Sequence, residues 1–124
     1  MSDSQKKILI VDDEEDVRLF LADFIGERDF IVDTAPDGEE AIKKALATHY
    51  DVVLLDIMMP GMDGITCLEK IKKFSPRTGV IMITALRDET RMALAKKLGA
   101  AQYIVKPFSL NYLETELLNL IRKS

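Results

Sequence analysis

The 124-residue sequence contains one cysteine, one histidine, no tryptophan and only four prolines. With Cys67 alone, neither an intrachain disulfide nor a cysteine-based zinc site can form, which excludes the stapled small secreted scaffolds. Basic character is also missing: 17 Lys+Arg stand against 21 Asp+Glu, a net charge of −4. Binding to a phosphate backbone relies on a basic stripe whose Lys and Arg displace the backbone's counterions, and none is present, so no direct nucleic-acid binding is expected. Long apolar runs are absent too. The longest, such as 52–55 and 80–83, are strand-sized against the roughly 18 residues that span a bilayer. The polar stretch 1–7 and the short apolar run 8–11 do not make a signal peptide, whose core needs roughly 7–15 apolar residues. The expectation is a cytoplasmic protein with no membrane partner.

What remains is 48% hydrophobic and 31% charged residues, the balance of an ordinary globular domain with one core. Short continuous apolar runs recur at Ile8–Val11, Phe30–Val32, Val52–Leu55, Val80–Ile83 and Tyr103–Val105. Rich in β-branched residues and apolar at successive positions, they read as strands buried on both faces, the mark of a parallel sheet. Helical stripes lie between them. Val17, Phe20, Leu21, Phe24 and Ile25 form the first, ended by Gly26; Ala41, Ile42, Ala45 and Leu46 form the second, after Asp37-Gly38. Ile65, Leu68 and Ile71 follow Asp63-Gly64. A thinner fourth stripe, Met92, Ala95 and Leu98, lies in a helix over Asp88–Leu98 that Gly99 caps. The last, Leu113, Leu117, Leu120 and Ile121, follows Ser109 as N-cap. Five strands alternating with five helices predict a doubly wound α/β (βα)₅ fold, helices on both faces of a parallel sheet.

Ligands of such a sheet bind beyond the carboxyl ends of its strands, where strand order reverses. The first run ends in Asp12-Asp13, the third in Asp56, the fourth in Thr84-Ala85 and the fifth in Lys106-Pro107. Taken singly, each has a bland reading: a helix cap, a turn former before Pro60-Gly61, a strand-end hydroxyl, a solvated lysine. Together they place three carboxylates on one rim, an arrangement that needs compensation. Clustered carboxylates without His or Cys are hard oxygen ligands suited to Mg²⁺, with Mn²⁺ as the alternative ion. A lysine and a threonine hydroxyl meet the needs of a phosphoryl group, and one carboxylate can itself be the nucleophile that forms an aspartyl phosphate. The small Ala85 leaves room beside it.

From Ile8-Leu-Ile-Val-Asp-Asp13 through Leu55-Asp-Ile-Met-Met-Pro-Gly-Met-Asp-Gly64, Ile83-Thr-Ala85 and Val105-Lys-Pro-Phe108, the chain resembles the CheY-like receiver domain of two-component response regulators. The resemblance implies a flavodoxin-like sheet of order 2-1-3-4-5, with one receiver domain over 1–124 and no output domain. It implies that Asp56 accepts phosphate from a histidine kinase or histidine phosphotransfer protein, the chain being no enzyme beyond this self-catalysed chemistry. Asp12, Asp13, Asp56 and the Met58 backbone carbonyl would hold Mg²⁺. Lys106 would pair with Asp56 and then its phosphoryl group, Thr84 would move toward that group, and Tyr103 would follow as an aromatic switch. A cis Lys106–Pro107 bond is implied as well.

Output would pass through the face built by the fourth helix, fifth strand and fifth helix (α4-β5-α5), with Arg87, Tyr103 and Tyr112 on it, to an effector or output domain. Ala101-Gln102 replace the acidic pair that locks dimers of many relatives, so a monomer or weak phosphorylation-dependent dimer is expected. Met58 and Leu86 are apolar where rapidly dephosphorylating members are polar, which implies slow autodephosphorylation. His49 reads as a surface residue and Cys67 as packing. The competing reading, a Mg²⁺-dependent phosphatase with an aspartyl nucleophile, lacks the second acid two residues on, where Met58 stands, and lacks a cap insertion. A nucleotide-binding loop of the G-x-x-x-x-G-K-[ST] type is missing. A receiver that has lost phosphate acceptance is disfavoured by the complete Asp, Thr and Lys set.

Overall fold

The computed structural model describes residues 5–107 and 109–123; Phe108, part of the last motif above, lies outside them, as do 1–4 and Ser124. Strands β1 (Lys7–Val11), β2 (Ile31–Ala35), β3 (Val52–Leu55), β4 (Gly79–Thr84) and β5 (Gln102–Val105) alternate with helices α1 (Glu15–Gly26), α2 (Gly38–Ala47), α3 (Gly64–Phe74) and α4 (Glu89–Lys97). After β5 come α5 (Leu110–Tyr112), a π-helical turn (Leu113–Leu117) and α6 (Leu118–Lys123), consecutive pieces of the fifth helical segment. The sheet is parallel throughout, in the order β2-β1-β3-β4-β5.

Alternate residues of each strand face opposite sides, and the core divides accordingly. Leu9, Val11, Val53, Leu55, Val80 and Met82 pack under α2, α3 and α4 through Ala41, Leu68, Ile71 and Ala95. Ile8, Ile10, Val52, Leu54, Ile81 and Ile83 pack under α1 and the last helical segment through Leu21, Phe24, Leu113 and Ile121. Burying one such Leu or Ile contributes roughly 2 kcal/mol. Asp37, Asp63, Asp88 and Ser109 each cap the helix that follows, accepting backbone N–H bonds.

Several local expectations shift. The second strand runs over Ile31–Ala35 rather than 30–32. It is an edge strand, so Asp33 and Thr34 enter the ladder without needing apolar neighbours on both faces. Gly26 does end α1 as expected, and a left-handed backbone follows at Asp29, φ 68°. Phe20 and Leu46 belong to the apolar stripes by spacing but are 51% and 65% exposed. Within α4 only Ala95 is buried, in keeping with its thin stripe.

Register is what builds the functional rim. Val11 pairs with Leu55, so Asp12 and Asp56 leave the sheet side by side, and the Asp56 N–H donates to the Val11 carbonyl at 3.0 Å. Thr84 pairs with Val105, and the Lys106 N–H donates to the Thr84 carbonyl at 2.8 Å. Gly64 then holds α3 against this rim. A Cβ there would lie 2.1 Å from the Asp56 carbonyl oxygen and 2.6 Å from Ile57 Cα, both backbone atoms, so only glycine allows the approach.

Candidate phosphoryl and metal site

Asp12, Asp13 and Asp56 each offer a carboxylate oxygen within 4.8 Å of the others. Asp12 and Asp56 are buried and Asp13 is exposed. Lys106 reaches across: its Nζ donates to Asp12 Oδ2 at 2.7 Å and to Asp56 Oδ2 at 3.3 Å. The remaining Asp56 oxygen, Oδ1, accepts the Met58 N–H at 3.1 Å. Asp12 Oδ1 accepts the Glu14 N–H at 2.9 Å. The capping role open to Asp12 in sequence is thus partly real, but the N-cap position of α1 is Glu14.

Burial pushes the Asp56 carboxyl above its usual range. The Thr84 hydroxyl and the Lys106 ammonium pull it down, and the Asp12 charge pushes it up. For Lys106 burial works against the charged form, yet the Asp12 hydrogen bond and the Asp56 charge outweigh it and raise the ammonium above its ordinary value. One cation therefore serves several anions, an excess of negative charge that a hard divalent cation would offset. The carboxylate oxygens, hard donors without nitrogen or sulfur among them, fit Mg²⁺.

Thr84 is fully buried, its Oγ1 accepting the Leu86 N–H at 3.2 Å. The Leu86 carbonyl in turn accepts the Tyr103 hydroxyl at 2.7 Å. Thr84 and the half-buried Tyr103 are thus joined through the two peptide groups of one residue. Ala85 is exposed at the rim, and the Lys106–Pro107 peptide bond is cis. Beside the acidic cluster opens a cavity of about 470 Å³, with Asp13, Met58, Asp63, Leu86 and Arg91 on its walls. Met58 is 57% exposed there.

Arg87 is exposed and Tyr112 half-buried, and with Tyr103 they border one cavity between α4 and the last helical segment. His49 lies outside the site, exposed and 3.9 Å from Asp51. Cys67 is buried under α2, and burial pushes its thiol up to about 12. Two residues at the site escaped the sequence reading. Arg18 Nη1 donates to the Asp12 carbonyl at 2.7 Å, and Glu14 Oε1 lies 3.6 Å from Lys106 Nζ. The available signal was the third acid in succession, Asp12-Asp13-Glu14.

A family model described as the response regulator receiver domain matches residues 8–118. The transcriptional regulatory protein ResD of Bacillus subtilis is 42% identical over 106 residues, 86% of this chain and 44% of that protein. The probable transcriptional regulator ycf27 of Cyanophora paradoxa is 40% identical over 124 residues, 100% of this chain and 52% of its own. The chain thus spans about half the length of these curated relatives. Among solved structures, the response regulator TrrA of Thermotoga maritima in complex with Mg²⁺-BeF superposes with a TM-score of 0.83 at 38% identity, covering 96% of this chain and 98% of that one. The CheX-CheY-BeF₃-Mg²⁺ complex of Borrelia burgdorferi gives 0.86 at 39% identity, covering 93% and 88%.

A raised Asp56 pKa means that the folded state holds its proton more tightly than the unfolded chain, so ionising this carboxyl costs stability. In chelator, Asp56→Asn should therefore raise the denaturation midpoint at pH 7. The cost is full above the folded pKa and disappears as pH falls through it toward the ordinary aspartate value, where the two denaturation midpoints converge. A variant less stable than the parent at pH 7 would contradict this electrostatic account.

Proposed function

The chain belongs to the response regulator receiver domain family, and from that premise we propose that Asp56 is its phosphoacceptor, charged from a phosphohistidine on a sensor kinase or phosphotransfer protein. The observation that carries this is the setting of Asp56: buried, tied through Oδ1 to the Met58 amide and through Oδ2 to Lys106, next to two further carboxylates. The carboxylate oxygen attacks phosphorus, the P–N bond breaks, and the donor imidazole leaves. Mg²⁺, or Mn²⁺, held by Asp12, Asp13, Asp56 and the Met58 carbonyl, would neutralise the carboxylates and the phosphoryl oxygens.

This chain's residues do the rest. Lys106 releases its bond to Asp56 Oδ2 and stabilises the charge on the transferred group. Thr84 offers its hydroxyl to a phosphoryl oxygen and gives up the Leu86 N–H. Because the same residue's carbonyl anchors the Tyr103 hydroxyl, movement of the 84–86 segment frees the tyrosine to turn inward while Ala85 leaves space. The phosphorylated state so selected presents a different surface on α4, β5 and the last helical segment. An effector or output domain reads it, and the chain itself is a monomer or weak dimer. The reading makes the chain a cytoplasmic signalling module rather than an enzyme with a turned-over substrate. Among the described residues no helix is long and apolar enough to cross a membrane.

Incubation with Mg²⁺ and a small-molecule phosphodonor, followed by intact mass measurement, should give one added phosphoryl group on the parent and none on Asp56→Asn. No adduct, or an undiminished one on the variant, refutes the assignment.

Met58 and Leu86 line the cavity at the site without a polar group to orient an attacking water. Replacing Met58 with Asn and Leu86 with Glu should shorten the phosphate lifetime by roughly ten-fold, below the ~10² or more of full general-base catalysis. A lifetime unchanged or longer in a decay time course removes these positions from the account.

A further inference from the structure

Asp12 and Asp56, the two carboxylates hydrogen-bonded to Lys106, have roles in phosphoryl transfer, but the third, Glu14, has none. Its Oε1 lies 3.6 Å from Lys106 Nζ, against 2.7 Å for Asp12 Oδ2 and 3.3 Å for Asp56 Oδ2. Glu14 stands at the N-cap position of α1, yet its side chain makes no capping hydrogen bond, and glutamate is not among the residues that cap well. Negative charge for the helix dipole is already supplied by Glu15 and Asp16 in the first turn. Capping is therefore not what this side chain does.

The Glu14 backbone is pinned by the same carboxylate that binds the lysine, its N–H donating to Asp12 Oδ1. The side chain, 65% exposed, is free to follow the ammonium over a short range. We propose that Glu14 is a positioning residue, a competing counter-ion that holds Lys106 beside the unphosphorylated site and opposes its transfer to the phosphoryl group. The inference rests on Asp56 being the phosphoacceptor. A phosphoryl group brings a dianion where a single carboxylate charge stood, and it needs Lys106 as its partner. Glu14 is at once a rival for that ammonium and a like charge close to the incoming group. Solvent screening at its exposure limits the effect to that of a surface ion pair, about two- to five-fold in affinity.

Beryllofluoride titrations at saturating Mg²⁺, followed by ¹⁹F NMR at fixed pH, read this competition directly. Glu14→Gln should bind the probe about two- to five-fold more tightly than the parent, with the gap closing as salt rises. In the metal-free protein the Lys106 ammonium nitrogen should shift in the same variant. Glu15→Gln removes an equal charge one residue away and should change neither readout. Unchanged or weaker binding by Glu14→Gln, or equal tightening by Glu15→Gln, overturns the role of Glu14. Failure of the parent itself to bind beryllofluoride would overturn the phosphoacceptor reading and this inference with it.

Discussion

The rim of this sheet depends on one ammonium. Lys106, fifty residues beyond Asp56 and ninety-four beyond Asp12, is hydrogen-bonded to both. Without it two buried carboxylates would face each other and an exposed third without the ammonium that offsets their charge, which costs several kcal/mol in a low-dielectric setting. Even with it the site is under-compensated, and burial still raises the Asp56 carboxyl. This imbalance is chemically useful, because it leaves a place for a divalent cation and gives the lysine competing partners. A lysine held by several carboxylates can change allegiance when one of them acquires a phosphoryl group.

The sheet makes that convergence inexpensive. Parallel strands all end at the same edge, and the pairing of Val11 with Leu55 and of Thr84 with Val105 delivers Asp12, Asp56, Thr84 and Lys106 to one rim without any long loop. The apolar residues just behind them are buried on both faces, so the polar groups sit on rigid supports. The close approach of Gly64 to the Asp56–Ile57 backbone extends this rigidity to the loop after β3. The 84–86 segment is tied differently, with the Thr84 hydroxyl and the Tyr103 hydroxyl bonded to opposite ends of Leu86.

Much of this was legible in the sequence, for a physical reason. Strands buried on both faces appear as unbroken apolar runs, and the polar residues that end the first, third, fourth and fifth runs are rim residues, which suffices to find Asp12, Asp13, Asp56, Thr84 and Lys106. Edge strand β2 looks shorter in the sequence than it is because Asp33 and Thr34 need no burial. Periodicity placed Phe20 and Leu46 on apolar faces but does not say how wide a face its neighbour covers. The π-helical turn at Leu113–Leu117 keeps Leu113 and Leu117 buried as the i, i+4 spacing implies, so its changed hydrogen bonding leaves no trace in the apolar pattern. Glu14 escaped because its meaning lies in a contact with a residue ninety-two positions away.

Residue-level mapping of the phosphoryl group tests the central claim most directly. Borohydride reduction of the phosphodonor-treated protein converts an aspartyl phosphate to homoserine, which peptide sequencing by mass spectrometry locates. The account places homoserine at position 56 alone, dependent on Mg²⁺ and greatly reduced when Lys106 is replaced by Ala. Homoserine at position 12 or 13 in the unaltered chain, or none at any position, would contradict it.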